Sequence, residues 1–233
     1  MKLEAVVFDV DFTLAKPGPD LGPEGYRRLG ERFGLVLEPA RYDDARRDAI
    51  ATLKRHPELD HDEEVWVLFT ERIIQGMGGE GDTYRCAVEM TRAWERADHF
   101  ELFDDALPVL DELRGNGLKL ALLSNTGRDL NEFVAHHRIQ VDAILTSRVH
   151  GKTKPHEGIF RALLDELQVE AAAAAMVGDD PTDDVEGARS VGMRAWLVDR
   201  EGRFPDHPDR LTDLRALPAA LGLGDCPGGG HGG

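Results

Sequence analysis

Asp9 and Asp11 stand one residue apart at the end of an apolar run, in the stretch AVVFDVDFTL that covers residues 5–14. A core gains nothing from two carboxylates there, and leaving them buried and unpaired is costly, so water or a cation must compensate them. Three later stretches carry groups of matching chemistry. LALLSNTG presents Ser124 and Asn125, HGKTKPHEGIF supplies Lys152 and Lys154 ahead of Pro155, and AMVGDDPTDDVEGA brings Asp179, Asp180, Asp183 and Asp184 after another apolar run. A lysine and a hydroxyl suit the equatorial oxygens of a phosphoryl group. Hard carboxylate oxygens with water suit a magnesium ion, which takes one or two protein carboxylates plus phosphate oxygens.

The elements that must position these groups alternate along most of the chain. Strands are expected at Leu3–Asp9, Leu118–Leu123, Ala143–Leu145, Ala174–Gly178 and Arg194–Val198, because short apolar runs bounded by turn residues read as strands buried on both faces. Helices are expected between them at Ala106–Arg114, Asp129–His137, Glu157–Leu167 and near Thr182–Ser190, with a last short one near Thr212–Leu217 stopped by Pro218. Such alternation implies a parallel sheet covered by helices on both faces, and ligands then bind beyond the carboxyl ends of the strands. The four stretches would meet along that edge. From about Glu24 to Asp98 the pattern changes to four successive helices, entered through the Pro/Gly-rich connector AKPGPDLGPEG. The expected organisation is an α/β, Rossmann-like core from 1–15 and 102–222, a helical insert over 16–101, and a flexible tail from 223–233.

Composition narrows the partners. Among 233 residues there are 28 Lys and Arg against 44 Asp and Glu, a formal charge of −16. That argues against nucleic acid or an anionic membrane surface, which need basic patches. It is compatible with a small phosphorylated ligand, since local charge governs such a site. Cys86 and Cys226 lie far apart, which speaks against a structural disulfide and for a reducing cytoplasm. No apolar run reaches the length of a membrane span, and the chain enters its first strand without a signal-peptide layout.

In this order, DxDxT, apolar-SN, KP…IF and GDxxxxDxxGA, the chain resembles the haloacid dehalogenase-like (HAD) hydrolases, and the resemblance runs to about Val198. The helical insert between the first two motifs is similar to the family's C1 type of cap. The resemblance implies that Asp9 is a nucleophile forming an aspartyl-phosphate and that Asp11 is general acid, then base. It implies magnesium held by the Asp9 carboxylate, the Asp11 backbone carbonyl and the Asp179 carboxylate, with Asp184 behind them. Ser124 and the backbone near Asn125 would hold a phosphate oxygen, Lys154 would neutralise the attacked group, and Thr13 would support Asp11. The implied activity is Mg2+-dependent hydrolysis of a small phosphorylated metabolite. Asp11 argues against a dehalogenase, because displacing halide needs no proton donor.

Other readings of the same residues stay open. A phosphosugar mutase or a phosphonate-cleaving enzyme would share the core, the latter needing a lysine in the insert such as Lys54. A phosphate-responsive regulatory protein with weak catalysis is the reading from a different class. Lys152 is the fallback for Lys154, while GKT at Gly151–Thr153 is no nucleotide loop, since Thr146 stands where the first glycine is needed. Asp180 and Asp183 read equally as an acidic helix start. LDHDEE reads as the solvated start of an insert helix, and Trp66, Phe69 and Trp94 read as the insert's own core. Phe12 occupies a position where the family usually has glycine, so it bears on substrate size.

Overall fold

The computed structural model describes residues 2–53, 55 and 57–223. The expectations for Lys54, for Cys226 and for the ending from residue 224 lie outside the described residues. Leu223, assigned to the tail by sequence, is partly buried against the core.

Among the described residues eight strands form: β1 Ala5–Phe8, β2 Ala15–Pro17, β3 Phe100–Leu102, β4 Lys119–Ser124, β5 Ala143–Thr146, β6 Ala174–Gly178, β7 Arg194–Val198 and β8 Arg210–Leu211. Six make one sheet in the order β5-β4-β1-β6-β7-β8, with every neighbouring pair parallel. Successive side chains of a strand point to opposite faces, and β1 shows the consequence. Val6 and Phe8 enter one apolar cluster, whereas Ala5 and Val7 enter another on the far face. This double burial is why the strands read as continuous apolar runs. The chain lays β4 and β5 on one side of β1 and then crosses to lay β6 and β7 on the other, so the connections diverge at the end of β1. A crevice opens at such a reversal of strand order.

The helices are α1 Pro23–Arg32, α2 Tyr42–Ala51, α3 Glu63–Gly76, α4 Thr83–Trp94, α5 Ala106–Gly115, α6 Leu130–His137, α7 Ser147–His150, α8 Glu157–Leu167, α9 Gly187–Ser190 and α10 Leu217–Ala220. The first four form the insert, and Asp62 caps α3 by accepting from the Glu64 amide, as an acidic start to that helix implies. Ile73, Ile74, Met77, Cys86 and Met90 are buried in the same cluster as Val6 and Phe8, so insert and sheet share one core.

Three expectations change. The Pro/Gly-rich connector marks a boundary in the sequence, and its first residues form β2, which pairs antiparallel with β3. The boundaries expected at 15/16 and 101/102 therefore fall inside a two-stranded ribbon joining insert and core. Pro218 does not stop the last helix but sits in the first turn of α10, where a missing amide hydrogen costs nothing. The helix expected near Thr182–Ser190 begins as a π-helical turn, Pro181–Glu186, before α9. Such turns occur often at functional sites.

Candidate active site

Asp9 directly follows β1 and its amide donates to the Val177 carbonyl of β6 at 2.9 Å, which fixes it beside the end of that strand. Ser124 closes β4, and Asp179 follows Gly178, the last residue of β6. Lys154 comes from the loop between α7 and α8, where its peptide bond to Pro155 is cis. Lys154 Nζ donates to Asp9 Oδ1 at 2.7 Å and to Asp184 Oδ1 at 2.6 Å, and all three side chains are buried. Carboxylate oxygens of Asp9, Asp179 and Asp184 lie within 4.8 Å of one another.

Three acids around the Lys154 ammonium and the Arg203 guanidinium still leave the cluster short of positive charge. Burial pushes Asp9 well above the usual carboxylate range; Lys154 opposes this, while Asp184, Asp179 and Asp11 reinforce it. Burial and then Asp184 push Asp179 up to about 7, against Arg203 and Lys154. Burial alone would lower Lys154, but Asp184 and Asp9 outweigh it and hold its pKa above the ordinary lysine value. Hard oxygens this close, still repelling one another beside a lysine, fit a small divalent cation.

The residues around the cluster are held by its neighbours. Asp184 Oδ2 accepts from the Asp180 amide at 3.0 Å. Asp180 itself caps the π-helical turn by accepting from the Thr182 and Asp183 amides, each at 2.8 Å, so its part matches the helix-start reading. Asp183 lies in the first turn of that helix, as the same reading holds, and is in addition buried, receiving hydrogen bonds from Arg55 of the insert and from Asn125 Nδ2. The Asn125 side chain is a clip, with Nδ2 also donating to the Lys154 carbonyl at 3.1 Å and Oδ1 accepting from the Lys154 amide at 2.7 Å. Thr13 is fully buried with its hydroxyl 3.5 Å from Asp9 Oδ2, so the support expected for Asp11 is directed at Asp9 instead. Nor does Thr13 line the cavity, as a phosphate contact would.

A cavity of about 300 Å³ opens over this floor, between the sheet edge and the insert. Asp9, Asp11, Ser124, Lys154 and Asp179 face it from the core; Trp66, Phe69, Ile73 and Trp94 face it from α3 and α4. The two tryptophans and Phe69, read from sequence as core of the insert, also form walls of the cavity, and Phe69 and Trp94 pack against the core cluster as read. The helical period places them correctly on one face but cannot say what that face meets. Phe12 lines the cavity too, at a left-handed φ of 62°, with the Arg46 guanidinium 4.8 Å above its ring. Backbone there favours glycine, and a bulky residue in it is uncommon. Lys152, the fallback lysine, turns away toward the insert and pairs with Asp60 at 2.7 Å.

Sequence reasoning passed over four arginines: Arg46, Arg55, Arg128 and Arg203 all line the cavity. Arg203 Nη2 donates to Asp179 Oδ2 at 2.9 Å, and Arg128 Nη2 to Asp11 Oδ1 at 2.5 Å. The one visible signal was Arg128, four residues after Ser124 and just before the Asp129 cap of α6. The others come from segments with no motif.

Comparison with known proteins agrees with this architecture. The model of the haloacid dehalogenase-like hydrolases matches residues 3–192, so the chain belongs to that hydrolase family. It is 40% identical over 124 residues to "Phosphatase MT3486" of Mycobacterium tuberculosis, covering 51% of this chain and 55% of that protein. It is 37% identical over 155 residues to a phosphoserine phosphatase of Thermus thermophilus, covering 63% of this chain and 61% of the relative. The matches thus span a little over half the length of these two curated relatives. Among solved structures, a HAD phosphatase from Thermococcus onnurineus superimposes with a TM-score of 0.64 at 25% identity, covering 94% of this chain and 98% of that one.

Proposed function

We propose that the protein is a Mg2+-dependent phosphatase acting on a small phosphorylated metabolite through an aspartyl-phosphate. The observation that carries this reading is Lys154 Nζ bridging Asp9 and Asp184 beside Asp179, on the floor of the cavity. Relatives named as phosphatases support it.

In this reading an Asp9 carboxylate oxygen attacks phosphorus, and the ester P–O bond breaks with its electron pair passing to the leaving oxygen. That oxygen takes the proton of Asp11, and the phosphoryl group rests on Asp9. A water then gives a proton to Asp11 as its oxygen attacks phosphorus, and the bond to Asp9 breaks to free both phosphate and the carboxylate. Lys154 screens the repulsion between the nucleophile and the anionic substrate and holds Asp9 in place. Ser124 and the backbone at Asn125 bind a phosphoryl oxygen. Asp9, Asp179 and the Asp11 carbonyl would hold magnesium, with Asp184 behind them; when bound it supplies positive charge against the phosphoryl oxygens. The helical insert serves as a cap whose aromatic walls enclose the leaving group and exclude water.

The test is phosphate release from p-nitrophenyl phosphate. Wild type with magnesium turns over, whereas Asp9→Asn and metal removal with a chelator each lower turnover by at least about 10³-fold. Equal rates in wild type and Asp9→Asn would end the nucleophile assignment. Saturable binding of phosphate esters with no turnover would favour the regulatory reading. Lys54, which the phosphonate-cleaving alternative needs, lies outside the described residues.

A further inference from the structure

We infer that Arg128 is the positioning residue for Asp11, fixing the carboxyl that gives its proton to the leaving oxygen. The inference rests on the phosphatase reading above and adds a residue to it.

A guanidinium does nothing for an apolar core, and burying one is costly unless it is paired and hydrogen-bonded. Yet the Arg128 side chain is only 1% exposed, in the region where α6, β3 and the end of α4 meet. Its compensation is specific. The guanidinium carbon lies 3.8 Å from the Phe100 ring centroid and 5.2 Å from that of Phe133, Nη1 donates to the Trp94 carbonyl at 3.3 Å, and Nη2 donates to Asp11 Oδ1 at 2.5 Å. The backbone beneath is anchored as well. The Arg128 amide donates to Thr126 Oγ1 at 3.1 Å, and the next residue caps α6.

The Asp11 backbone is bridged to Ala15, but its side chain has none of this anchoring of its own. It sits in the turn after β1, its side chain is 26% exposed, and among the described residues Arg128 is the partner of its carboxyl group. A carboxyl free to rotate about two bonds spends much of its time pointing away from a leaving group, and misplacement by about 1 Å can cost about 10²-fold. Arg128 removes that freedom by holding Oδ1 and leaving Oδ2 for the substrate. When the ester bond's electron pair passes to the leaving oxygen and Asp11 gives up its proton, the new carboxylate lies beside a fixed positive charge. The planar fork suits the task, since it reaches the Trp94 carbonyl and Asp11 with different nitrogens, which a lysine cannot reproduce.

The test uses two substrates of different leaving-group demand. Ethyl phosphate expels an alkoxide that must be protonated, whereas p-nitrophenyl phosphate expels a stable phenolate. kcat/KM reports phosphoryl transfer to Asp9 alone, so the comparison isolates the proton-donating step. Arg128→Gln is expected to lower kcat/KM by about 100-fold for ethyl phosphate and by less than about fivefold for p-nitrophenyl phosphate, the loss falling on kcat. In an Asp11→Asn background the same substitution is expected to cost less than about threefold on ethyl phosphate, because the residue it positions has gone. Arg128→Lys keeps the charge and part of the stacking and is expected to recover part of the activity. It carries the same two-substrate comparison if Arg128→Gln loses its cooperative thermal transition.

Equal losses on both substrates, or losses that add in full to those of Asp11→Asn, would show a merely structural arginine and overturn the inference. Turnover persisting in Asp9→Asn would instead strike at the phosphatase reading beneath it, so the two failures are told apart.

Discussion

Gly178 ends β6, and a Cβ built there would lie 2.0 Å from Asp184 Oδ2 and 2.2 Å from its Cγ. The missing side chain is the space that lets Asp184 reach both Lys154 and the Asp180 amide. Gly178→Ala is therefore expected to displace Asp184, loosen Lys154 and lower kcat/KM at least about tenfold while the fold persists. Wild-type kinetics with an unchanged melting curve would rule that out. Thr13 and Phe12 carry the same lesson, since each has a part decided by a neighbour rather than by its own type. The Thr13 hydroxyl is directed at Asp9, and Phe12 is stacked under Arg46 of the insert.

Between elements, the insert touches the loop carrying Lys154 through backbone as well as side chains. The His61 amide donates to the Gly151 carbonyl at 3.0 Å, the Thr153 amide to the Leu59 carbonyl at 2.8 Å, and Lys152 Nζ to the Glu58 carbonyl at 2.9 Å. The loop carrying Lys154 is thus bonded to the segment ahead of α3. The two lysines separate by their partners, because Lys152 is part-exposed and Lys154 buried. Partly exposed pairs are worth about 0–1 kcal/mol, so Lys152→Ala is expected to change stability by less than about that and kcat/KM by less than about tenfold. Lys154→Ala is expected to lower kcat/KM by at least about 10³-fold and to destabilise the fold, since it strands buried carboxylates. Steady-state kinetics with thermal melts checks both, and a Lys152→Ala enzyme as impaired as Lys154→Ala would restore the fallback. At this scale the repeating pattern made the main strands and long helices legible. β2, β3 and β8 were not, because strands of two or three residues exist through their partners and carry no period of their own.

Across the whole molecule, one buried ion pair ties distant segments to the turn that follows β1. Asp105 is 1% exposed and takes two hydrogen bonds from Arg200, at 3.0 and 2.9 Å, and one from the Leu214 amide at 2.8 Å; Arg200 also donates to the Thr13 carbonyl at 2.8 Å. Burial by itself raises the Asp105 pKa, but the Arg200 hydrogen bonds and the Leu214 amide outweigh it and leave the carboxyl below its ordinary 3.8. A depressed native pKa adds stability that is complete above the unfolded value and is lost as pH falls through the native one. Asp105→Asn is thus expected to melt well below wild type at pH 7, by about 3–5 kcal/mol for a broken buried pair. That gap should narrow as the pH drops below about 4. Denaturant unfolding at several pH values measures it, and a gap independent of pH would refute the assignment. The described helices include none long and apolar enough to cross a membrane.

The residues alone determined the chemistry on offer and the alternation of strands and helices, because motifs lie at strand ends and apolar period follows from burial on one face or two. They also made the run of helices α1 to α4 legible, since four amphipathic segments follow one another there. Only the tertiary structure decided which groups meet: that Lys154 bridges Asp9 to Asp184, that Trp66, Phe69 and Trp94 wall a cavity, and that Arg128 grips Asp11. Each of these is a contact between segments far apart in the chain, and local sequence carries no record of a distant partner's position.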